Sequence, residues 1–285
     1  MLIGNRDRAA GVAHLLGGMA LLFAAALRPA SAEAPAPAER VYSQYVAKVE
    51  ARLAQQHLSP NAFIVGQGSN SQLDARVRRG EAVIEHLSSA SEADPPGALL
   101  HHWRGTAFVP GATAADFERL MKNFNSYPQR FTPQAVKARI LSSYSGAIPD
   151  HFAASMRVRQ KHVITVVMDT TYDVTFVRLD PRHGYSISRS TKIDEISSPG
   201  TSKERVLLAT EEHGFLWRLN TYWTYGERDG GLYMQIETIS LTRAIPTGLG
   251  WAVRPYVESV PRESLEFTLR ATCRALEDTR RDQGR

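Results

Sequence analysis

Six consecutive stretches of strand character, with no helical segment between them, occupy the chain from 135 to 243 and restrict its fold more than any other feature. They cover 136–145, 152–160, 163–179, 184–196, 215–225 and 232–243. Turn residues separate them at Gly146, Pro181-Arg182-His183-Gly184, Pro199-Gly200 and Asp229-Gly230. Parallel neighbours need a long crossover, usually a helix, so strands joined this directly must pair antiparallel in a meander. The third stretch is 17 residues long, where about five or six is usual, and a strand of that length in a small domain bends around something.

The flanking segments are helical or mixed. Over 39–58 the apolar residues Val41, Tyr42, Tyr45, Val46, Val49 and Leu53 recur at three- and four-residue steps, which predicts an amphipathic helix stopped by Ser59-Pro60. Around Arg79-Gly80, the segments 73–77 and 81–87 read as a small hairpin. A strand over 99–109 ends at Pro110-Gly111. Thr113-x-x-Asp116 then reads as a capping box opening a helix with Phe117, Leu120, Met121 and Phe124, and Tyr127-Pro128 and Phe131-Thr132-Pro133 bend the chain beyond it. Past the last strand, Pro261 marks the first turn of a final helix, Glu263 and Glu266 oppose its dipole, and Leu265, Leu269, Thr272, Cys273 and Leu276 form one stripe.

Period-two patterning assigns faces. One side of 163–179 carries Ile164, Val166, Met168, Thr170, Tyr172, Val174 and Phe176; the other carries Thr165, Asp169, Thr171, Asp173 and Thr175. A two-residue turn at Asp229-Gly230 sets Arg228 opposite Gly231. That register puts Trp217, Leu219, Trp223, Tyr225, Met234 and Ile236 on one side, assigned inward. Arg218, Asn220, Tyr222, Glu237 and Arg243 fall on the other, read as a solvated ion-pair face, or alternatively as an Arg anchor for an acidic group on a ligand.

His101-His102-Trp103, Pro110-Gly111-Ala112-Thr113, the run from Gly214 through Phe215, Leu216, Trp217, Arg218 and Leu219 to Asn220, Asp229-Gly230-Gly231, and Ser240-Leu241-Thr242-Arg243 followed by Pro261-Arg262-Glu263-Ser264-Leu265 carry a resemblance. From 97 to 276 the chain resembles the START-like superfamily of helix-grip folds, in particular a branch of bacterial members. The resemblance implies an α+β fold in which a curved antiparallel sheet wraps a long C-terminal helix around an apolar cavity. An extra N-terminal helix and the small hairpin stand outside that pattern. The division expected is 1–32 leader, 33–96 N-terminal extension, 97–279 START-like domain and 280–285 tail. Because the superfamily includes lipid carriers, hormone receptors and polyketide cyclases, it implies only that something hydrophobic is bound. The expected ligand-binding residues are Met168, Tyr172, Phe176, Trp217, Thr221, Trp223, Met234, Ile236, Trp251 and Leu269, with Thr238 a further small wall residue. Trp251, beside Thr247-Gly248-Leu249-Gly250, is the expected gate.

Arg6 and Arg8 precede an apolar run over 12–27 that ends in Ala30-Ser31-Ala32, which predicts a cleavable export signal and a periplasmic or secreted protein. Without the leader's three Arg and one Asp the net charge falls from +5 to +3, too weak to indicate nucleic acid. Cys273 is the only thiol, so the chain has no internal disulfide and no thiolate metal site. Consecutive His101 and His102 point to opposite faces of a strand, and no HExxH spacing occurs, so no metal and no cofactor is expected. No G-x-S-x-G is present, and Gly66-Gln67-Gly68 lacks the context of a nucleotide loop. No catalytic residue is assigned. The reading is a non-catalytic carrier of a hydrophobic small molecule or lipid, with transient contact to a membrane surface as a further expectation. Its alternatives are a polyketide cyclase or dehydratase-like enzyme using a polar cavity residue (Tyr172, His102 or Arg218), distinguished by two titratable groups converging in the pocket, and an envelope interaction protein with a filled cavity.

Overall fold

Asp229 and Gly230 adopt φ of 57° and 74°, the left-handed pair that a two-residue hairpin requires, and Arg228 pairs with Gly231. This turn fixes the register on which the sheet is built. The computed structural model describes residues 33–59, 63–64, 71–87, 94–143, 150–161, 165–245 and 250–283, the side chains of 71, 250–258 and 282–283 apart. The leader, Gly66-Gln67-Gly68, the turn at Gly146, Ile164 and the 247–249 connection lie outside those residues, as does the Trp251 side chain.

In chain order the elements are helix α1 (Ala36–His57), helix α2 (Ser71–Arg78), strands β1 (Val83–His86) and β2 (Ala98–Pro110), helix α3 (Ala114–Lys122), a 3-10 turn (Phe124–Ser126), the short helix α4 (Tyr127–Arg130), strands β3 (Ala135–Ser143), β4 (Asp150–Lys161), β5 (Thr165–Asp180), β6 (His183–Ser197), β7 (Arg205–Val206), β8 (Arg218–Arg228) and β9 (Gly231–Arg243), and helix α5 (Gly250–Gln283). Among the described residues the strands form one antiparallel sheet ordered β1-β2-β9-β8-β6-β5-β4-β3, with β7 on β6. The meander over 135–243 is therefore present, and β2 closes onto its far end.

α5 lies across the inner face, gripped by the curved sheet. Leu265, Leu269, Thr272 and Leu276 are its buried stripe, and Cys273, half-buried beside the same core, has its thiol pushed up to about 12 by burial. Gly105 lets the helix approach: a Cβ there would stand 2.7 Å from Leu265 Cδ2 and 2.9 Å from Leu269 Cδ2. The curvature comes from long strands with irregular pairing. Thr171 faces Lys192 while Tyr172 faces Ser190, so Thr191 is an extra residue that bends β6.

Three expectations need correction. Residues 73–77 lie in helix α2, not in a hairpin. Leu73 and Val77 satisfy a helical i,i+4 step as well as alternation, and the Gln, Ala and Arg around them are good helix formers. α5 starts at Gly250, eleven residues before Pro261, so Pro261 is an interior residue. The Arg218, Glu237 face is not solvated, because α1 covers it. Tyr42, Val49 and Leu53 pack there on Trp217, Ile239 and Leu241. Glu237, 1% exposed, is held by Arg52 and by His102 Nε2 at 3.0 Å. Arg218 Nε donates to Glu39 Oε1 at 3.1 Å, and the Tyr222 hydroxyl donates to Glu50 Oε1 at 2.9 Å.

Candidate functional site

The inner face and α5 separate over β4 to β9, leaving a cavity of about 270 Å³. Each wall derives from local sequence. Thr113 accepts the Asp116 backbone N–H and the Asp116 carboxylate accepts the Thr113 N–H, so the expected capping box fixes where α3 starts and aims Met121 into the space. The bent piece after α3 supplies Phe124, Tyr127 and Phe131: Phe124 stacks on Tyr127 with centroids 4.8 Å apart, and Tyr127 meets Phe131 edge to face at 4.9 Å. On β5, Met168, Tyr172, Val174 and Phe176 all point inward, as their parity required. Val260, Pro261, Ser264 and Leu265 of α5 face them, and Gln160 Nε2 of β4 donates to Ser264 Oγ at 2.7 Å across the gap.

The segment before β8 closes one end with Phe215 and Leu216. It is tethered to β6 by one buried carboxylate: Glu195 accepts from the His213 backbone N–H at 3.0 Å, from His213 Nδ1 at 2.8 Å and from the Phe215 N–H at 3.0 Å. Burial raises the carboxyl of neighbouring Glu212, and the charges of Glu195 and Asp194 add to the rise.

Of the expected ligand-binding residues, Met168, Tyr172, Phe176, Thr221, Trp223 and Ile236 line the cavity, and so does Thr238. Met234 and Leu269 belong instead to the closed core beside it. Trp217 is on the opposite face, under α1. The ladder of β8 begins at Arg218, so alternation does not reach back to Trp217, and Leu216 takes the inward place. The residues missed were Met121, Phe124, Tyr127 and Phe131, which read only as helix stripe or chain breaks. Ser186, Ser188, Ser240 and Thr242 were also missed, although their parity on β6 and β9 pointed to the same wall.

The described lining side chains are apolar, hydroxyl or amide. The two phenols are buried and their pKa values raised by desolvation, and Tyr127 donates to the Met121 carbonyl at 2.6 Å. His102 and Arg218, considered above as proton-transfer residues, lie on the α1 face with Glu237 and Glu39. His101 is turned inward beside Thr242, and burial lowers its imidazole to about 4, so it is neutral at pH 7.

Together the sheet, the helix and the hollow define a START-like helix-grip fold. No family model matches the chain, and no curated protein matches its sequence. Solved structures similar to it include a START superfamily protein from Mycobacterium smegmatis (16% identity, 63% of this chain and 99% of that one, TM-score 0.41). They also include a STAR-related lipid transfer protein from Xanthomonas axonopodis (15%, 68% and 98%, 0.41) and the Zhui aromatase/cyclase from Streptomyces sp. R1128 (15%, 62% and 94%, 0.42).

Proposed function

We propose that this protein is exported and holds a hydrophobic small molecule or lipid between its sheet and α5, carrying or sequestering it without chemical change. The observation that carries this reading is the 270 Å³ hollow itself, walled by methionine, aromatic and aliphatic side chains. Burying the apolar surface of a guest there yields roughly 25 cal/mol per Å², which is the main source of affinity in a site of this kind. The volume is near the lower edge of small-molecule pockets, roughly 300–1,000 Å³. It suits a single chain or a compact ring system, and a two-chain lipid would extend outside. The titratable side chains at the wall are two buried phenols, Tyr127 already engaged with a backbone carbonyl, which supports binding over proton-transfer chemistry.

The test is mass spectrometry of an organic-solvent extract of the native protein purified from its own cell envelope. An apolar compound at a reproducible fraction of the protein supports the reading; an empty extract, with no uptake of apolar probes in vitro, contradicts it. N-terminal sequencing of the cell-derived protein tests export: a mature chain beginning near Glu33 is the expected result.

A further inference from the structure

We infer that the guest is an uncharged, rigid ring compound with oxygen functions along one edge; this deepens the binding reading above and rests on it. One wall of the cavity is a lattice of hydroxyls. Ser188 of β6 is directly opposite Thr221 of β8, which is opposite Thr238 of β9, so three hydroxyl-bearing residues cross the sheet at the strand spacing of roughly 4.8 Å. Ser186 extends the array along β6, and Ser240 and Thr242 extend it along β9; all six line the cavity. Thr242 meets His101 Nε2 at 3.3 Å. The hydroxyls of Ser186, Ser188, Thr221, Thr238 and Ser240 have no hydrogen-bond partner among the described residues, although Ser186 and Ser240 are only 4% and 5% exposed. The row continues onto β2 at Trp103, opposite Thr238, whose buried indole N–H also lacks a partner among the described residues. Hydroxyls that open onto a cavity without a protein partner are satisfied by a guest or by water, so this wall takes oxygen or nitrogen functions that arrive with either.

The rest of the lining, with Phe124 and Phe131 after α3, Met156 on β4, Met168 on β5 and Phe176 on β5 beside Ser186, is apolar. A saturated acyl chain would displace water from the hydroxyls and leave them unmatched. A carboxylate or phosphate would be desolvated among side chains that are apolar, hydroxyl or amide, with no cation among the described lining residues. A flat ring system with hydroxyl or carbonyl groups on one edge satisfies both the hydroxyl and the apolar parts of the lining. Its rigidity presents those oxygens at fixed separations without the ordering cost a flexible chain pays.

The experiment compares three probes on the full chain by calorimetry or fluorescence: 1,8-dihydroxyanthraquinone, anthracene and dodecanoate. The expected result is that the dihydroxyanthraquinone binds about tenfold or more tightly than either other probe. In Ser188→Ala/Thr221→Val/Thr238→Val, its binding should weaken about tenfold while anthracene binds more tightly, so the preference disappears or inverts. Anthracene or dodecanoate binding as tightly as the quinone overturns the inference and leaves the binding reading standing, as does a triple variant that keeps the wild-type preference. Uptake of none of the three overturns the inference and, together with an empty extract, the binding reading as well. If the triple variant does not fold, the wild-type comparison and the single Thr221→Val variant decide the question.

Discussion

Glu237 shows how a buried charge is tolerated in this fold. Its carboxylate, 1% exposed, sits between Arg52 and His102, and although desolvation opposes ionisation, those hydrogen bonds and charges hold its pKa below the ordinary carboxylate range. Glu237→Ala strands His102 and releases Arg52, so a loss of about 2–4 kcal/mol in urea unfolding is expected, with Glu237→Gln losing less. His101 gives a pH dependence. Its folded pKa of about 4 is below the unfolded 6.5, so between those values the unfolded chain binds more protons and stability falls as pH drops from 6.5 to 4. Each tenfold difference in proton affinity between the two states is worth about 1.4 kcal/mol, which puts the loss across the window at about 3 kcal/mol for His101. His57, also lowered to about 4 mainly by burial, adds in the same direction. The urea midpoint of His101→Gln should fall less steeply over that window than that of the wild type; equal slopes would contradict the assignment. At this scale parity was the legible signal. It placed Met168, Tyr172, Phe176, Thr221, Trp223 and Ile236 on the cavity wall from sequence, and it failed at Trp217, where the ladder had not yet begun.

Elements were legible where a periodic pattern was long. The six strands of the meander and the stripe of α5 follow from alternation and from three- and four-residue steps, whereas α2, eight residues long, fits both periods and was misread. The cover over a face is not written in that face: the polar outer side of β8 and β9 reads as solvated until α1 is seen on it, because a tertiary partner far away in sequence supplies the pairing charges. The close crossing of α5 over β2 depends on Gly105. Gly105→Val would push Leu265 and Leu269 off the sheet, and a loss of about 1–3 kcal/mol by urea unfolding is expected. The tether of the closing segment is a second element-scale test. In Glu195→Ala, hydrogen exchange of the His213 and Phe215 amides should accelerate at least about tenfold, while exchange in β8 and β9 changes little; unchanged amides would mean that the segment is held by packing alone.

At the scale of the whole molecule, the sheet bends, the helix crosses it closely at one end, and the walls diverge at the other. Close contact of α5 with β2 at Gly105 and divergence over β4 to β9 are two consequences of one curvature. Sequence pattern foretold the antiparallel meander and the final helix, and the resemblance to helix-grip folds implied that one wraps the other; neither gave the volume left between them, because that depends on side-chain sizes summed across many elements. The most direct measurement is uptake of a neutral apolar fluorophore, N-phenyl-1-naphthylamine, by the wild-type chain and by Thr221→Trp, which places an indole at the centre of the hydroxyl wall. The account predicts saturable binding in the wild type and its loss in the variant, with cooperative unfolding retained in both. Equal uptake by the two chains would contradict it.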